Sequence, residues 1–162
     1  RLNLGDSYEL GRGDLAIDFN RCVELWDQSA TQGYVTAQVN LGAMYRCGSI
    51  PEDPQLSFRW LLAAAKQGNL ISVFEIGSAY DDGYGVEQND ESAFEWYMKA
   101  AEMGDPDAQF NVGTFYEHGR GEVEINLVQA MHWYQKSAAQ GDQQYIDNVE
   151  RVRLILQVNH NQ

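Results

Sequence analysis

Residues 72–104 read SVFEIGSAYDDGYGVEQNDESAFEWYMKAAEMG, and this stretch decides the fold. Apolar side chains recur at helical spacing on both sides of a turn that contains Gly83 and Gly85. The stretch therefore predicts two amphipathic helices, which we call helix A and helix B, joined by a glycine-rich turn.

The same marks recur along the chain at a period of 35 to 37 residues. A fixed period of this size predicts a stacked array, because one helix pair cannot bury its apolar face alone. We expect one repeat domain over residues 1–162, with repeats at 1–33, 34–68, 69–104 and 105–141, a capping helix at 142–158 and a tail at 159–162. The mid-helix glycines of helix A are Gly5, Gly42, Gly77 and Gly113, and the tyrosines that follow three residues later are Tyr8, Tyr45, Tyr80 and Tyr116.

Two local features support the helix pairs. A glycine inside a helix costs about 1 kcal/mol relative to alanine, so its recurrence predicts close approach by a bulky side chain of the neighbouring helix. Helix B has a clear start, because a residue with a side-chain oxygen stands at the same place in every repeat and can cap the first free amides. These predicted N-caps are Asp18, Asp53, Asn89 and Asn126.

The complete pattern resembles the Sel-one-like repeat family, a relative of the tetratricopeptide repeat. The resemblance covers roughly residues 2 to 142 and implies an all-α fold, a right-handed α-α superhelix (solenoid) of about four helix-turn-helix repeats plus a C-terminal capping helix. It also implies binding of other proteins, with no reaction and no cofactor. In the fourth repeat the matching residues are Ala108, Val112, Gly113, Tyr116, Gly119, Gly121, Ala130, Trp133, Tyr134, Ser137, Ala138 and Gly141.

The charge of the chain restricts its partners. The 162 residues carry a formal net charge of −13, which argues against nucleic acid and anionic membrane surfaces. A protein or peptide with a basic face is the natural partner, and the alternative is that the charge only keeps the array in solution. No run of eighteen apolar residues occurs, so we expect no membrane insertion.

Compartment and completeness stay open at this stage. We expect a soluble protein whose pattern is compatible with a monomer. Its compartment is either the bacterial periplasm or exterior, or the cytoplasm. The chain opens at Arg1 rather than Met, which suggests a fragment of a longer protein. Cys22 and Cys47 are predicted to lie at one edge, so a disulfide is compatible with their positions, and two free thiols are the alternative.

A search for chemistry finds no Ser-His-Asp order, no histidine pair on one helix, no CxxC pair and no phosphate loop. We therefore predict that the chain is not an enzyme and has no catalytic, metal or cofactor-binding residues. The resemblance implies that the A helices line a concave binding face. The residues expected on that face are Val39, Ala43, Arg46, Phe74, Ser78, Asp81, Phe110, Thr114 and Glu117.

Alternatives remain for both the site and the function. Phe74 and Phe110 are equally suited to packing between helices. The leading hypothesis for function is a non-catalytic scaffold or adaptor that binds a protein or peptide. The second is a bacterial inhibitor or immunity-type protein that blocks a partner enzyme, and the third is a hydrolytic enzyme that uses groove carboxylates.

Overall fold

The computed structural model describes residues 19–47, 51–139 and 143–160, and within these ranges all regular secondary structure is α-helical. The chain divides into two compact units, an N-terminal unit of residues 1–87 and a C-terminal unit of residues 88–162. The helices are α1 (Phe19–Thr31), α2 (Val35–Arg46), α3 (Pro54–Lys66), α4 (Leu70–Asp82), α5 (Asp90–Glu102), α6 (Pro106–His118), α7 (Leu127–Ala138) and α8 (Gln143–His160).

The N-terminal unit contains α1 to α4, each packed against the next along the chain. Its helices α2 and α4 are the A helices of the second and third repeats, and α1 and α3 are B helices. Large and small apolar side chains alternate in its core, which is the arrangement that lets helices interdigitate at close range. The buried residues of this cluster are Trp26, Ala30, Ala37, Leu41, Met44 and Trp60.

The C-terminal unit contains α5 to α8, again packed in sequence. Helix α6 is the A helix of the fourth repeat, α5 and α7 are B helices, and α8 is the predicted capping helix. Between α7 and α8 lies a buried cluster of Ala130, Tyr134, Val149 and Val152. Phe115 of α6 is fully buried and packs against Phe94 of α5, with 5.5 Å between the ring centroids.

The predicted starts of the B helices are confirmed where the structure describes them. Asp53, Asn89 and Asn126 each accept a hydrogen bond through their side chain from the backbone amide three residues later, at 2.9, 2.7 and 3.0 Å. A side-chain cap of this kind contributes about 1 kcal/mol. The fourth predicted cap, Asp18, lies outside the described residues.

The reason inferred for the mid-helix glycines is also confirmed in both units. A Cβ atom on Gly42 would lie 2.6 Å from Leu61 of α3, and one on Gly113 would lie 2.6 Å from the Tyr134 ring of α7. Each glycine therefore admits the bulky side chain of its own B helix. Gly5 of the first repeat lies outside the described residues.

Candidate partner-binding surface

A pocket opens on the A-helix side of the N-terminal unit. It has a volume of about 140 Å³. Side chains from α2, α3 and α4 surround it, so its walls depend on three consecutive helices of the array. The lining residues are Val39, Ala43, Arg46, Cys47, Leu61, Ile71 and Glu75.

Most of the pocket wall is apolar. Leu61 is buried, with 5% of its surface exposed, and it forms the inner part of the wall where it packs against Gly42. Ile71, in contrast, has 62% of its surface exposed. An isoleucine this exposed in the first turn of a helix leaves apolar surface in water that a bound molecule can cover.

One end of the pocket is charged. Arg46 of α2 forms an ion pair with Glu75 of α4, and the two side chains are 35% and 29% exposed. The Arg46 guanidinium also lies over the ring of Tyr84, 5.3 Å from its centroid. Tyr84 donates a 3.0 Å hydrogen bond to Glu52. The pKa of the Tyr84 hydroxyl is raised, mainly because the hydroxyl is partly removed from water and also because of this bond.

The other three predicted contact residues of this unit lie along α4. Phe74, Ser78 and Asp81 are all half-buried. The Ser78 hydroxyl donates a long 3.4 Å hydrogen bond to the exposed carboxylate of Asp82. These residues flank the α4 side of the surface without lining the pocket itself.

In the C-terminal unit, Phe110 is covered by its own chain. Its ring packs against Tyr134 of α7 and Tyr145 of α8, with centroid distances of 5.3 and 5.4 Å. The structure thus places Phe110 between helices, as the packing alternative describes. Thr114, one turn later on α6, donates a 2.7 Å hydrogen bond to the backbone carbonyl of Asn111.

Glu117 is held by two hydrogen-bond donors. Tyr134 donates to its carboxylate at 2.7 Å, and Arg151 of α8 contacts both of its oxygens, with Nη2 at 2.8 Å from Oε2. The bond from Arg151 keeps the pKa of Glu117 below its ordinary value, although burial acts in the opposite direction. Burial and the bond to Glu117 raise the pKa of Tyr134.

The structure therefore brings three of the nine predicted residues together in one open pocket: Val39, Ala43 and Arg46. Sequence reasoning missed four residues that complete the pocket: Cys47, which directly follows Arg46, and Leu61, Ile71 and Glu75. Leu61 had a signal, because it is the bulky residue opposite the mid-helix glycine. Glu75 and Ile71 had none, since their role depends on how α4 packs beside α2.

Other sequence features give no site in the described part of the chain. Cys47 is a free, exposed cysteine, and the side chain of Cys22 lies outside what the structure describes. Among the described residues, no group of three or more His, Cys, Asp or Glu side chains is arranged to hold a metal ion. Within the same ranges, every helix is too short or too polar to cross a membrane.

Comparisons with known proteins give consistent results. The model of the Sel1 repeat family matches residues 1–34, 35–69, 71–105 and 106–142. The chitin synthase regulator SKT5 of Saccharomyces cerevisiae is 32% identical over 91 residues, which are 54% of this chain and 13% of that protein. The chain thus spans about an eighth of the length of that curated relative.

Two solved structures share the fold over nearly the whole chain. A Sel1 repeat protein from Oxalobacter formigenes is 29% identical with a TM-score of 0.84, over 90% of this chain and 60% of that one. The protective antigen c5321 of uropathogenic Escherichia coli, which displays an SLR fold, is 32% identical with a TM-score of 0.83, over 95% and 33%. These matches confirm the predicted fold class, an all-α helical repeat superhelix.

Proposed function

Because the chain belongs to the Sel1 repeat family, we propose that it is a non-catalytic interaction scaffold that binds a protein or peptide through its A helices. Sel1 repeats indicate a protein–protein interaction scaffold, and the proposal adds where the partner binds. We place the contact in the N-terminal unit, on Val39, Ala43 and Arg46, with Phe74, Ser78 and Asp81 beside them.

The observation that carries this placement is the open pocket between α2, α3 and α4. It combines apolar walls with a charged end, and an apolar centre with a polar rim is the composition of a binding site for protein. In the C-terminal unit, Phe110 and Glu117 are already engaged by α7 and α8. We therefore do not place the partner contact on those two residues or on the neighbouring Thr114.

The charge of the chain supports a basic partner. The net charge is −13, so a basic protein face is attracted at long range and an acidic one is repelled. Such attraction mainly raises the rate of association and weakens with added salt. Binding should therefore decrease as ionic strength increases.

Affinity capture with the full chain tests the proposal. Immobilised wild-type protein is compared with Ala43→Trp, which places a large ring at the pocket, and with Ala139→Trp as the matched control. Both alanines are exposed, so neither change disturbs the core. We expect a stoichiometric partner that Ala139→Trp retains and Ala43→Trp loses.

Other outcomes have defined meanings. A single captured enzyme whose activity is blocked by stoichiometric addition of the chain would identify an inhibitor rather than a scaffold. A partner retained equally by both variants would contradict the placement on α2 and α4. Turnover of a substrate by the purified chain would contradict a non-catalytic role.

A further inference from the structure

Resting on the function proposed above, we propose that the pocket of the N-terminal unit is an anchor site for one apolar side chain of a partner segment that also carries a lysine or arginine. Three observations lead to this partner chemistry: the size of the pocket, the nature of its walls and the charges at its rim.

The size of the pocket selects a single side chain. An apolar cavity of roughly 150 Å³ holds one benzene molecule. The pocket here has about 140 Å³ and is open to solvent on one side. It therefore accepts a leucine, methionine or phenylalanine side chain and is too small for a helix or a pair of side chains.

The walls select an apolar group. Val39, Ala43 and Ile71 face the pocket together with the buried Leu61. Arg46 and Glu75 neutralise each other at one end, so neither offers an unpaired charge to a ligand inside the pocket. A polar or charged side chain would lose its hydration there with little compensation.

The acidic side chains near the pocket favour a partner segment that carries a positive charge. Glu75, Ser78 and Asp82 follow one another at helical spacing along the same side of α4. Asp82, seven residues after Glu75 and outside the pocket lining, carries an exposed carboxylate that accepts a 3.4 Å hydrogen bond from Ser78. The described part of this unit, residues 19–47 and 51–87, contains eight acidic and four basic residues, so its field also favours a cation.

Cys47 allows a direct test that needs no knowledge of the natural partner. It is exposed and lies on the pocket wall, so a fragment attached to it by a disulfide can reach the pocket. The probes are mixed disulfides of cysteamine derivatives with unmodified cysteamine. The four derivatives are acetyl-cysteamine without a ring, phenylacetyl-cysteamine with a neutral ring, phenylalanyl-cysteamine with a ring and an ammonium group, and phenylsuccinyl-cysteamine with a ring and a carboxylate.

The full chain is equilibrated with each probe at increasing concentrations of 2-mercaptoethanol. Peptide mapping by mass spectrometry then separates the label on Cys47 from any label on Cys22. Burying a phenyl group contributes about 1.5 kcal/mol or more. The concentration of 2-mercaptoethanol that removes half of the label from Cys47 should therefore be about tenfold higher for phenylacetyl-cysteamine than for acetyl-cysteamine. An exposed ion pair adds less, so the ammonium probe should exceed the carboxylate probe by about threefold.

Two variants provide the controls. Ala43→Trp should abolish the preference for the ring, because the new indole occupies the pocket, whereas Ala139→Trp should leave the preference unchanged. Far-UV circular dichroism of both variants verifies that their helices are intact. Glutathione equilibrated separately with the same probes reports the intrinsic stability of each mixed disulfide.

Equal retention of all four probes at Cys47 would overturn the anchor site, and so would a ring preference that persists in Ala43→Trp. A preference for the carboxylate probe would overturn the basic partner. These failures differ from failure of the proposed scaffold, since a captured partner could still bind on another surface. Conversely, if the probes show the ring preference but affinity capture yields no protein, the anchor pocket is supported and the proposed scaffold function is contradicted.

Discussion

Equivalent positions of the repeat are used in opposite ways by the A helix α2 in the N-terminal unit and the A helix α6 in the C-terminal unit. Phe110 of α6 fills the space beside Tyr134 and Tyr145, whereas Val39 stands at the equivalent position of α2 and a pocket remains. The difference teaches that the size of one side chain decides whether this part of a repeat is filled by the chain itself or left as an open pocket.

The charged position near the end of each A helix shows the same contrast. Arg46 pairs with Glu75 of the next A helix, and Glu117 pairs with Arg151 of α8, so the signs are reversed. The Glu117 side chain is 8% exposed and accepts a further bond from Tyr134. The Arg46 pair is about one-third exposed and lies at the edge of an open pocket.

The largest effect is expected from Phe110→Ala, which removes the ring that fills the space beside Tyr134 and Tyr145. A buried phenylalanine costs about 3–5 kcal/mol when truncated, and the half-buried Phe110 should cost about 2–3 kcal/mol. The equivalent change Val39→Ala should cost under about 1 kcal/mol, because fewer contacts are lost. Urea unfolding followed by circular dichroism measures both, and equal costs would refute the contrast between the two units.

Replacing a mid-helix glycine with alanine should also change the stability of the two units by different amounts. We expect this difference to be smaller than the one between Phe110→Ala and Val39→Ala. The Cβ of Gly113→Ala would strike the Tyr134 ring, which is buried and tethered to Glu117 by its hydroxyl. Overpacking costs about 1–3 kcal/mol, and better helix propensity returns about 1 kcal/mol, so a net loss of up to about 2 kcal/mol is expected.

Gly42→Ala is the matched control for that change. Its Cβ would meet the side chain of Leu61, which also borders the open pocket and can change rotamer towards it. We expect a net change within about 0.5 kcal/mol, since the relaxed contact and the gain in helix propensity nearly cancel. Thermal melts of the two variants measure the difference, and a greater loss for Gly42→Ala would contradict it.

Glu117→Gln should cost about 1–2 kcal/mol at neutral pH, because a charge-assisted hydrogen bond with Arg151 is replaced by a neutral one. The folded protein lowers the pKa of Glu117 from its ordinary value of 4.5. Its contribution to stability is therefore complete above pH 4.5 and is lost as the pH falls through the lower folded pKa.

A pH series of urea unfolding tests this sign. The stability gap between wild type and Glu117→Gln should shrink below pH 4.5. Glu124→Gln, at an exposed position of the same unit, should show little gap at any pH. A gap that widens in acid would mean that the carboxylate is not stabilised in the folded state.

A small change in stability is also expected from Glu75→Gln in the N-terminal unit. A partly exposed ion pair typically contributes less than about 1 kcal/mol, so unfolding should be nearly unaffected. Partner capture should respond more than stability, since the change leaves the cation of Arg46 unpaired at the pocket and adds positive charge against a basic partner. A large loss of stability with unchanged capture would assign Glu75 to the fold alone.

Much of the local structure was predictable because it depends on neighbours in the sequence. Asp53 caps α3 through the amide of Leu56, three residues away, and this contact needs no knowledge of the tertiary fold. The opposition of Gly113 and Tyr134 was predictable in kind, since a glycine inside a helix implies a close neighbour. The period of the repeat then supplied the order of the helices.

The state of the proposed surface was not predictable in the same way. Phe110 satisfied both hypotheses equally, contact with a partner and packing between helices. The contact that covers it comes from Tyr145, and Arg151, which holds Glu117, is 34 residues away in the sequence. No local pattern specifies contacts over that separation.

The amino-acid sequence alone determined that the chain is an all-α array of Sel1-type repeats, because hydrophobic period, capping residues and glycines act within one helix pair. Only the tertiary structure decided that the surface beside Val39 is open and the surface beside Phe110 is closed. The physical reason is that a pocket is the volume left between three packed helices, and a shift in packing of one side chain's width fills or empties it.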